Sequence, residues 1–444
     1  MYITRYKVVH RLDERSSVLV NTLSGAVDVI ENRYLPLLEN PRELIDHPDI
    51  HNALSDRGYI FPSRAAEEAA LKQLSTDYGG DTRPTAFVIC PTYACNLRCA
   101  YCFEGSLTTK ETRVLSNNEV DLIFSAIRRL ATENASIVLF GGEPFLPKNK
   151  AVVDYIVASA VKSGFPIGAV TNGVHLTDFL DLLAAHRANI GELQVTVDGP
   201  AAVHDLRRPR AGGQGTFADI VKGIDRALAL NLHIRMRVNV DRQNIGHLVE
   251  LADFVALKGW HKSADFVALL APIEDHTGCE PEYRLPEDKL ATAWLKLKER
   301  HPQLDIFQSR LFRNLEHIIA TLGGAQCAPR FQYCESNHLG CYTFGTDGKI
   351  YPCAEAIGDQ RTIVGSYYPK FALDEKQLNR WDGRSIFTLE KCRDCAVATF
   401  CGGGCAYAAF ATNGSIDEPR CNGVLETLHA YLESIKDTLI ERSA

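Results

Sequence analysis

The stretch Ala86-Phe87-Val88-Ile89-Cys90-Pro91-Thr92-Tyr93-Ala94-Cys95-Asn96-Leu97-Arg98-Cys99-Ala100-Tyr101-Cys102 decides the fold of this chain. Its first five residues are apolar and include a β-branched pair, and Pro91 ends the run, which is the pattern of a short buried strand. Three cysteines follow at C-x3-C-x2-C spacing. A loop directly after a strand lies at the strand's carboxyl end, where α/β sheets bind their ligands.

Outward from this stretch the same rhythm repeats. Further strands are predicted at Ser136–Phe140, Ile167–Thr171, Glu192–Val197, His233–Val240 and Asp265–Leu270. Between them, Asn118–Thr132, Lys150–Ser163, Asp178–His186, Phe217–Leu230 and Ile245–Leu257 have helical spacing. The alternation predicts the α/β class, and six βα units imply a partial (β/α)6 TIM-like barrel over residues 84–310. Before it, residues 1–75 carry two apolar runs, Tyr6–Val9 and Val18–Asn21, weakly helical sequence, and an Ala- and Glu-rich linking helix over Ala65–Leu74. This reads as a winged-helix-like unit, bounded by the breaker Tyr78-Gly79-Gly80-Asp81. After about Gly323 the sequence turns short, turn-rich and Cys-dense, so residues 323–444 are expected to form a cysteine-rich iron-sulfur domain closed by a helix over Gly423–Ile440.

At 444 residues the chain is long enough for two or three units. Its net charge of -7 is spread along the sequence and offers no basic surface for nucleic acid or membrane. The polar start Met1-Tyr2-Ile3-Thr4-Arg5-Tyr6-Lys7 is not a signal peptide, so the cytoplasm is the expected location. In that reducing compartment, 14 cysteines read as metal ligands rather than disulfides.

Three thiolates at the Cys95, Cys99 and Cys102 spacing serve three irons of a 4Fe-4S cluster and leave the fourth iron open, able to chelate a small molecule and pass it an electron. A zinc loop or structural thiols are the competing reading. Eight more cysteines follow as Cys334-x6-Cys341-x11-Cys353 and Cys392-x2-Cys395-x5-Cys401-x3-Cys405-x15-Cys421. Taken as a zinc ribbon, Cys392, Cys395, Cys401 and Cys405 strand the other four. Cys327 competes with Cys334 as a ligand, Cys279 is unassigned, and Cys90, on a strand, reads as a small core residue.

The cysteine loop with its aromatic Tyr101, together with Gly141-Gly142-Glu143-Pro144, Thr171-Asn172-Gly173, Thr196-Val197-Asp198-Gly199 and His204-Asp205-Leu206-Arg207-Arg208, resembles the radical S-adenosylmethionine enzymes. The resemblance implies that Tyr101, Gly141, Gly142, Glu143, Asn172, Thr196 and Arg208 contact S-adenosylmethionine, and that a 5′-deoxyadenosyl radical abstracts hydrogen from the substrate. The Cys-dense tail is similar to the SPASM extension of peptide-modifying members. That likeness implies three 4Fe-4S clusters in all, the auxiliary ones held by Cys334, Cys341, Cys353 and Cys405 and by Cys392, Cys395, Cys401 and Cys421.

A peptide substrate is then implied, with its leader adding a strand to the N-terminal unit, and with a flavodoxin- or ferredoxin-type electron donor. Anaerobic sulfatase-maturating enzymes carry an Asp after the cysteine matching Cys353; here Ala354 stands there, with Glu355 next. The expected activity is therefore a radical oxidoreductase reaction that crosslinks a ribosomally made peptide through a C–C or thioether bond. Formylglycine formation is the alternative within the family. A non-catalytic electron-relay or peptide-binding protein is the alternative outside it, and one that would not need Glu143 or Arg208.

Overall fold

The computed structural model describes residues 1–78, 86–110, 112–131, 134–274, 276, 282–307, 312–325, 328–338 and 340–443. Most of the Tyr78–Asp81 breaker, Cys279 and Cys327 lie outside the described residues.

Two small antiparallel sheets open the chain. β1 (Tyr2–Ile3) pairs with β5 (Ile60–Phe61), and β2 (Lys7–Arg11), β3 (Ser16–Asn21) and β4 (Val27–Glu31) form a sheet in that order. The central β3 divides its apolar residues by the two-residue period of a strand. Leu19 joins Ile3, Leu44, Leu54 and Tyr59 in a core of the unit's own, while Val18 and Val20 face Phe400, Leu428 and Leu432 of the C-terminal region. With the helix Pro48–Asp56, these sheets occupy the stretch expected to form a winged-helix-like unit. β4 was not foreseen from the sequence, and it forms an edge of its sheet.

β6 (Ala86–Ile89), β7 (Ser136–Leu139), β8 (Ile167–Thr171), β9 (Ile190–Thr196), β10 (Ile234–Val240) and β11 (Phe266–Pro272) lie side by side in sequence order, every pair parallel. The helices between them cover the sheet. In the first, Asn117–Leu130, Ser116 and Glu119 form a capping box, and Val120, Ile123, Phe124 and Ile127 bury one face at helical spacing. The parallel direction places the ends of all six strands on one rim.

The sheet does not stop at β6. β12 (Cys341–Phe344) runs parallel to it, and β13 (Lys349–Tyr351), β14 (Gly365–Ser366) and β15 (Ala372–Leu373) continue antiparallel, giving ten strands. Tyr342, Phe344, Ile350, Tyr367 and Trp381 belong to the same apolar core as the barrel, and the Phe344 and Phe87 rings lie 6.3 Å apart. The cysteine-rich region is thus fastened to the barrel by strand pairing and packing as well as by any metal. The reason is local: the alternation in Cys341-Tyr342-Thr343-Phe344 suits a buried sheet edge, and it brings the Cys353 loop to the barrel's mouth. Among the described residues no helix is long and apolar enough to cross a membrane.

Candidate active site

A cavity of about 270 Å³ opens at the carboxyl ends of the barrel strands. Cys95, Cys99, Tyr101 and Cys102 form one wall; Gly141, Gly142, Asn172, Thr196 and Arg208 line it from successive strand ends; Ala354 and Glu355 close it from the cysteine-rich region. The sequence motifs, separated by more than a hundred residues, are therefore brought to one place.

The cysteine loop is held by backbone pairing to the segment that carries Arg208. Arg98 N–H donates to the Pro209 carbonyl at 2.9 Å, Ala211 N–H to that of Asn96 at 2.9 Å, and Leu97 bridges Arg210. Burial pushes the Cys95 and Cys102 thiols up to about 12, with the nearby carboxylates of Glu143 and Glu104 respectively adding to the effect, and it raises Cys99 too. Three half-buried thiols that resist ionisation and converge on one wall fit a cationic iron centre, whose binding would displace their protons. Asn172 Nδ2 lies 3.8 Å from Cys95 Sγ and donates to Asn96 Oδ1 at 2.8 Å.

Gly141 and Gly142 have φ of +84° and +49°. A side chain at Gly142 would run into the Tyr93 and Ala94 backbone, so close approach of these two loops requires glycine. Glu143 lies behind that turn with 0% exposure. Its Oε1 accepts from Thr171 Oγ1 at 2.6 Å and Phe145 N–H at 2.8 Å, and its Oε2 from Asn172 N–H at 2.6 Å. The Glu143 carboxylate thus braces the end of β8 instead of facing the cavity.

Three arginines crowd positions 207–210, and the structure separates them. Arg207 pairs with Asp241 at 2.9 Å and Arg210 with Asp219 at 2.7 Å. Asp205 accepts from the Thr216 and Phe217 amides at the start of the next helix, so it does not hold Arg208. Arg208 is 6% exposed, donates to the Tyr101 hydroxyl at 2.5 Å, and has no hydrogen-bond partner for its buried Nε among the described residues. The Tyr101 hydroxyl in turn donates to Asp198 and accepts from Asn239 Nδ2 at 3.1 Å.

Cys353 and Cys401 have different cysteine neighbours. Burial raises Cys353 most, followed by Glu355, Cys405, Cys334 and Cys341. Burial likewise leads for Cys401, and the charges of Cys392, Cys421 and Cys395 then add. Between Cys401 and Cys405, Gly402, Gly403 and Gly404 all take positive φ and turn the chain.

Several wall residues escaped the sequence reading: Glu104, Gln194, Arg237, Glu274 and His276. Arg237 and Asn239 show the signal that was available, polar residues alternating along the otherwise apolar β10, with Arg237 Nε donating to Asn239 Oδ1 at 2.7 Å. His276 Nε2 meets Glu355 Oε2 at 3.0 Å, and Glu355 lies 3.9 Å from Cys405 Sγ.

Residues 89–255 match the Radical SAM superfamily. The chain is similar to mycofactocin maturase MftC of Mycobacterium ulcerans, at 26% identity over 74% of this chain and 85% of that protein. It is also similar to the cysteine-type anaerobic sulfatase-maturating enzyme of Clostridium novyi, at 22% identity over 70% and 84%. Among solved structures, native anSMEcpe with bound AdoMet shares its fold with a TM-score of 0.62, 19% identity and coverage of 81% of this chain and 99% of that one. Streptococcus suis SuiB bound to precursor peptide SuiA does so with a TM-score of 0.57, 15% identity and coverage of 95% and 98%.

Proposed function

This chain carries a Radical SAM superfamily domain, and we propose that it is the maturase of a ribosomally synthesised peptide, installing an intramolecular carbon–carbon or thioether crosslink. The observation that carries this reading is the composition of the cavity wall. The same 270 Å³ space touches the Cys95–Cys102 loop and the Ala354–Glu355 segment next to Cys353. A peptide segment in it lies between the first cysteine trio and the first cysteine quartet.

In this reading Cys95, Cys99 and Cys102 hold a 4Fe-4S cluster with one open iron. Cys334, Cys341, Cys353 and Cys405 hold a second cluster, and Cys392, Cys395, Cys401 and Cys421 a third. When bound, the first cluster and S-adenosylmethionine supply abstraction of a hydrogen atom from an unactivated carbon. The protein's own part is placement. Gly141 and Gly142 let the backbone approach the cofactor, and Asn172 and Thr196 offer side chains at the strand ends. Arg208, fixed by Tyr101, presents a guanidinium for a carboxylate. Glu143 contributes through the loop it braces. Electrons come from a flavodoxin- or ferredoxin-type donor in the cytoplasm.

Ala354 argues against formylglycine formation, since no carboxylate follows Cys353 directly and Glu355 is already engaged by His276. The assay is anaerobic incubation of reconstituted enzyme with reductant, S-adenosylmethionine and the co-encoded small peptide. The expected product has lost two hydrogens and resists reduction and alkylation. A formylglycine product would replace crosslinking with the sulfatase-type reaction, and failure to form 5′-deoxyadenosine would leave only the relay reading.

The leader is proposed to dock beside β4. This edge strand borders a cleft of about 990 Å³ shared by Val27, Val29, Asp28 and Arg57 with Tyr431 and Ile435 of the C-terminal helices. Backbone hydrogen bonds to such an edge give affinity, and side chains in the cleft give selectivity. Arg57 holds Asp28 at 2.8 Å at the cleft's border. Arg57→Glu is expected to raise KM for the full precursor roughly tenfold while leaving a leaderless core peptide unaffected, read from steady-state kinetics on both substrates. Equal effects on the two would place the leader elsewhere.

A further inference from the structure

We propose that Arg237 is the receptor for a carboxylate of the peptide substrate and so helps to select and place the reacting segment; the inference rests on the reading that this cavity takes S-adenosylmethionine and a peptide. Arg237 stands on β10 in register with Thr196 on β9, and it lines the cavity together with Gln194, Thr196 and Asn239. By the two-residue period of a strand, Arg235, Arg237 and Asn239 share one face of β10. The Arg237 Nε donates to Asn239 Oδ1 at 2.7 Å. Its two terminal nitrogens have no hydrogen-bond partner among the described residues. The residue is half-buried, so a ligand in the cavity can reach it.

Arg235, two residues earlier on the same face, shows what a structural arginine looks like here. Its Nε forms an ion pair with Glu192 of β9, so its charge is answered within the sheet. Arg237 has no such partner: among the described residues no carboxylate forms an ion pair with it. The acids near it are committed elsewhere. Asp198 accepts from the Tyr101 hydroxyl, Glu355 meets His276 at 3.0 Å, and Glu274 meets Arg284 at 3.6 Å. Burial works against the Arg237 charge, and a guanidinium drawn out of water is costly until an anion completes it. Its planar fork of donors fits a carboxylate through two parallel bonds. The cofactor's carboxylate already has Arg208, which follows β9 beside the cysteine loop. The peptide is then the ligand with a carboxylate left to offer, either an Asp or Glu side chain or the C-terminus.

The test uses the fully reconstituted Arg237→Gln enzyme and a fluorescently labelled core peptide, whose Kd is read by anisotropy with S-adenosylmethionine bound. Iron content, thermal midpoint and affinity for S-adenosylmethionine are expected to match the wild type. The variant is expected to bind the core peptide roughly ten- to hundredfold more weakly, and Arg237→Lys, which keeps the charge but not the fork, to fall between the two. Neutralising the held carboxylate should give the same loss in the wild type and no further loss in Arg237→Gln. Amidating the C-terminus does so if the terminus is the source; replacing an acidic core residue by its amide does so if a side chain is. The neutralised peptides probe the wild type directly, so the result does not depend on how well a variant folds. Unchanged Kd for every neutralised peptide overturns the proposal, as do losses that simply add when enzyme and peptide are both changed. A variant that loses affinity for S-adenosylmethionine alone overturns it too, because Arg237 then serves the cofactor. Failure of the wild type, loaded with S-adenosylmethionine, to bind the peptide at all would instead overturn the functional reading on which the proposal rests.

Discussion

Replacing Cys95, Cys99 and Cys102 together with alanine is expected to remove about four irons per chain, abolish formation of 5′-deoxyadenosine, and leave the other two clusters spectroscopically intact. The independence follows from the geometry. The three thiols sit in a loop between β6 and the first covering helix, paired by backbone to residues 209–211, whereas the eight later thiols lie between Cys334 and Cys421, with Cys341 on β12, Cys353 just after β13, and Cys401 and Cys405 flanking the glycine turn at 402–404. The apolar core that joins β12 to β6 contains Phe87, Tyr342 and Phe344, and Cys95 and Cys99 are only partly buried against it. Iron analysis and electron paramagnetic resonance of the variant measure both halves of the expectation. Retention of the full iron content, or collapse of all three signals together, would show that the ligands are partitioned differently.

The second large effect is expected at Glu143. Glu143→Ala removes the acceptor for three buried donors at once: the Thr171 hydroxyl and the amides of Phe145 and Asn172. Each orphaned donor costs about 1–3 kcal/mol, so a loss of roughly 4 kcal/mol is expected, a large share of an ordinary domain's stability. The damage extends toward the cysteine loop, because Asn172 also donates to Asn96 at 2.8 Å. Glu143→Gln retains an acceptor for some of these donors and should fall between wild type and Glu143→Ala in thermal midpoint. If Glu143→Ala unfolds no more readily than the wild type and loses only cofactor affinity, the Glu143 carboxylate works in the cavity and not as a brace.

The two glutamates illustrate the boundary between what could be read along the chain and what could not. Glu143 stands in a recognisable motif, yet its side chain turns away from the cavity, because Gly141 and Gly142 reverse the chain just before it. Glu104 stands in no motif and lines the cavity wall, because it follows the cysteine loop around the rim. Motif spacing along a strand-loop unit specifies which backbone arrives at the rim; it does not specify which side of the loop a carboxylate occupies.

The same division holds for the fold. The six parallel strands and their covering helices were legible because each is a local run with its own period, and a strand buried on both faces leaves an unbroken apolar signature. β4 and β12 through β15 were not, since short strands with half-exposed or cysteine-bearing sequence acquire their identity only from the partner they pair with. The sequence by itself determined the barrel, the cysteine trio and the motifs at the strand ends, all set by spacing within single βα units. Only the tertiary structure decided that β12 extends the barrel sheet and carries Cys353 to its mouth, which of the three arginines at 207–210 is left to line the cavity, and which of the two glutamates stands on its wall. Those outcomes depend on contacts between segments far apart in the chain, and neither spacing nor composition encodes them.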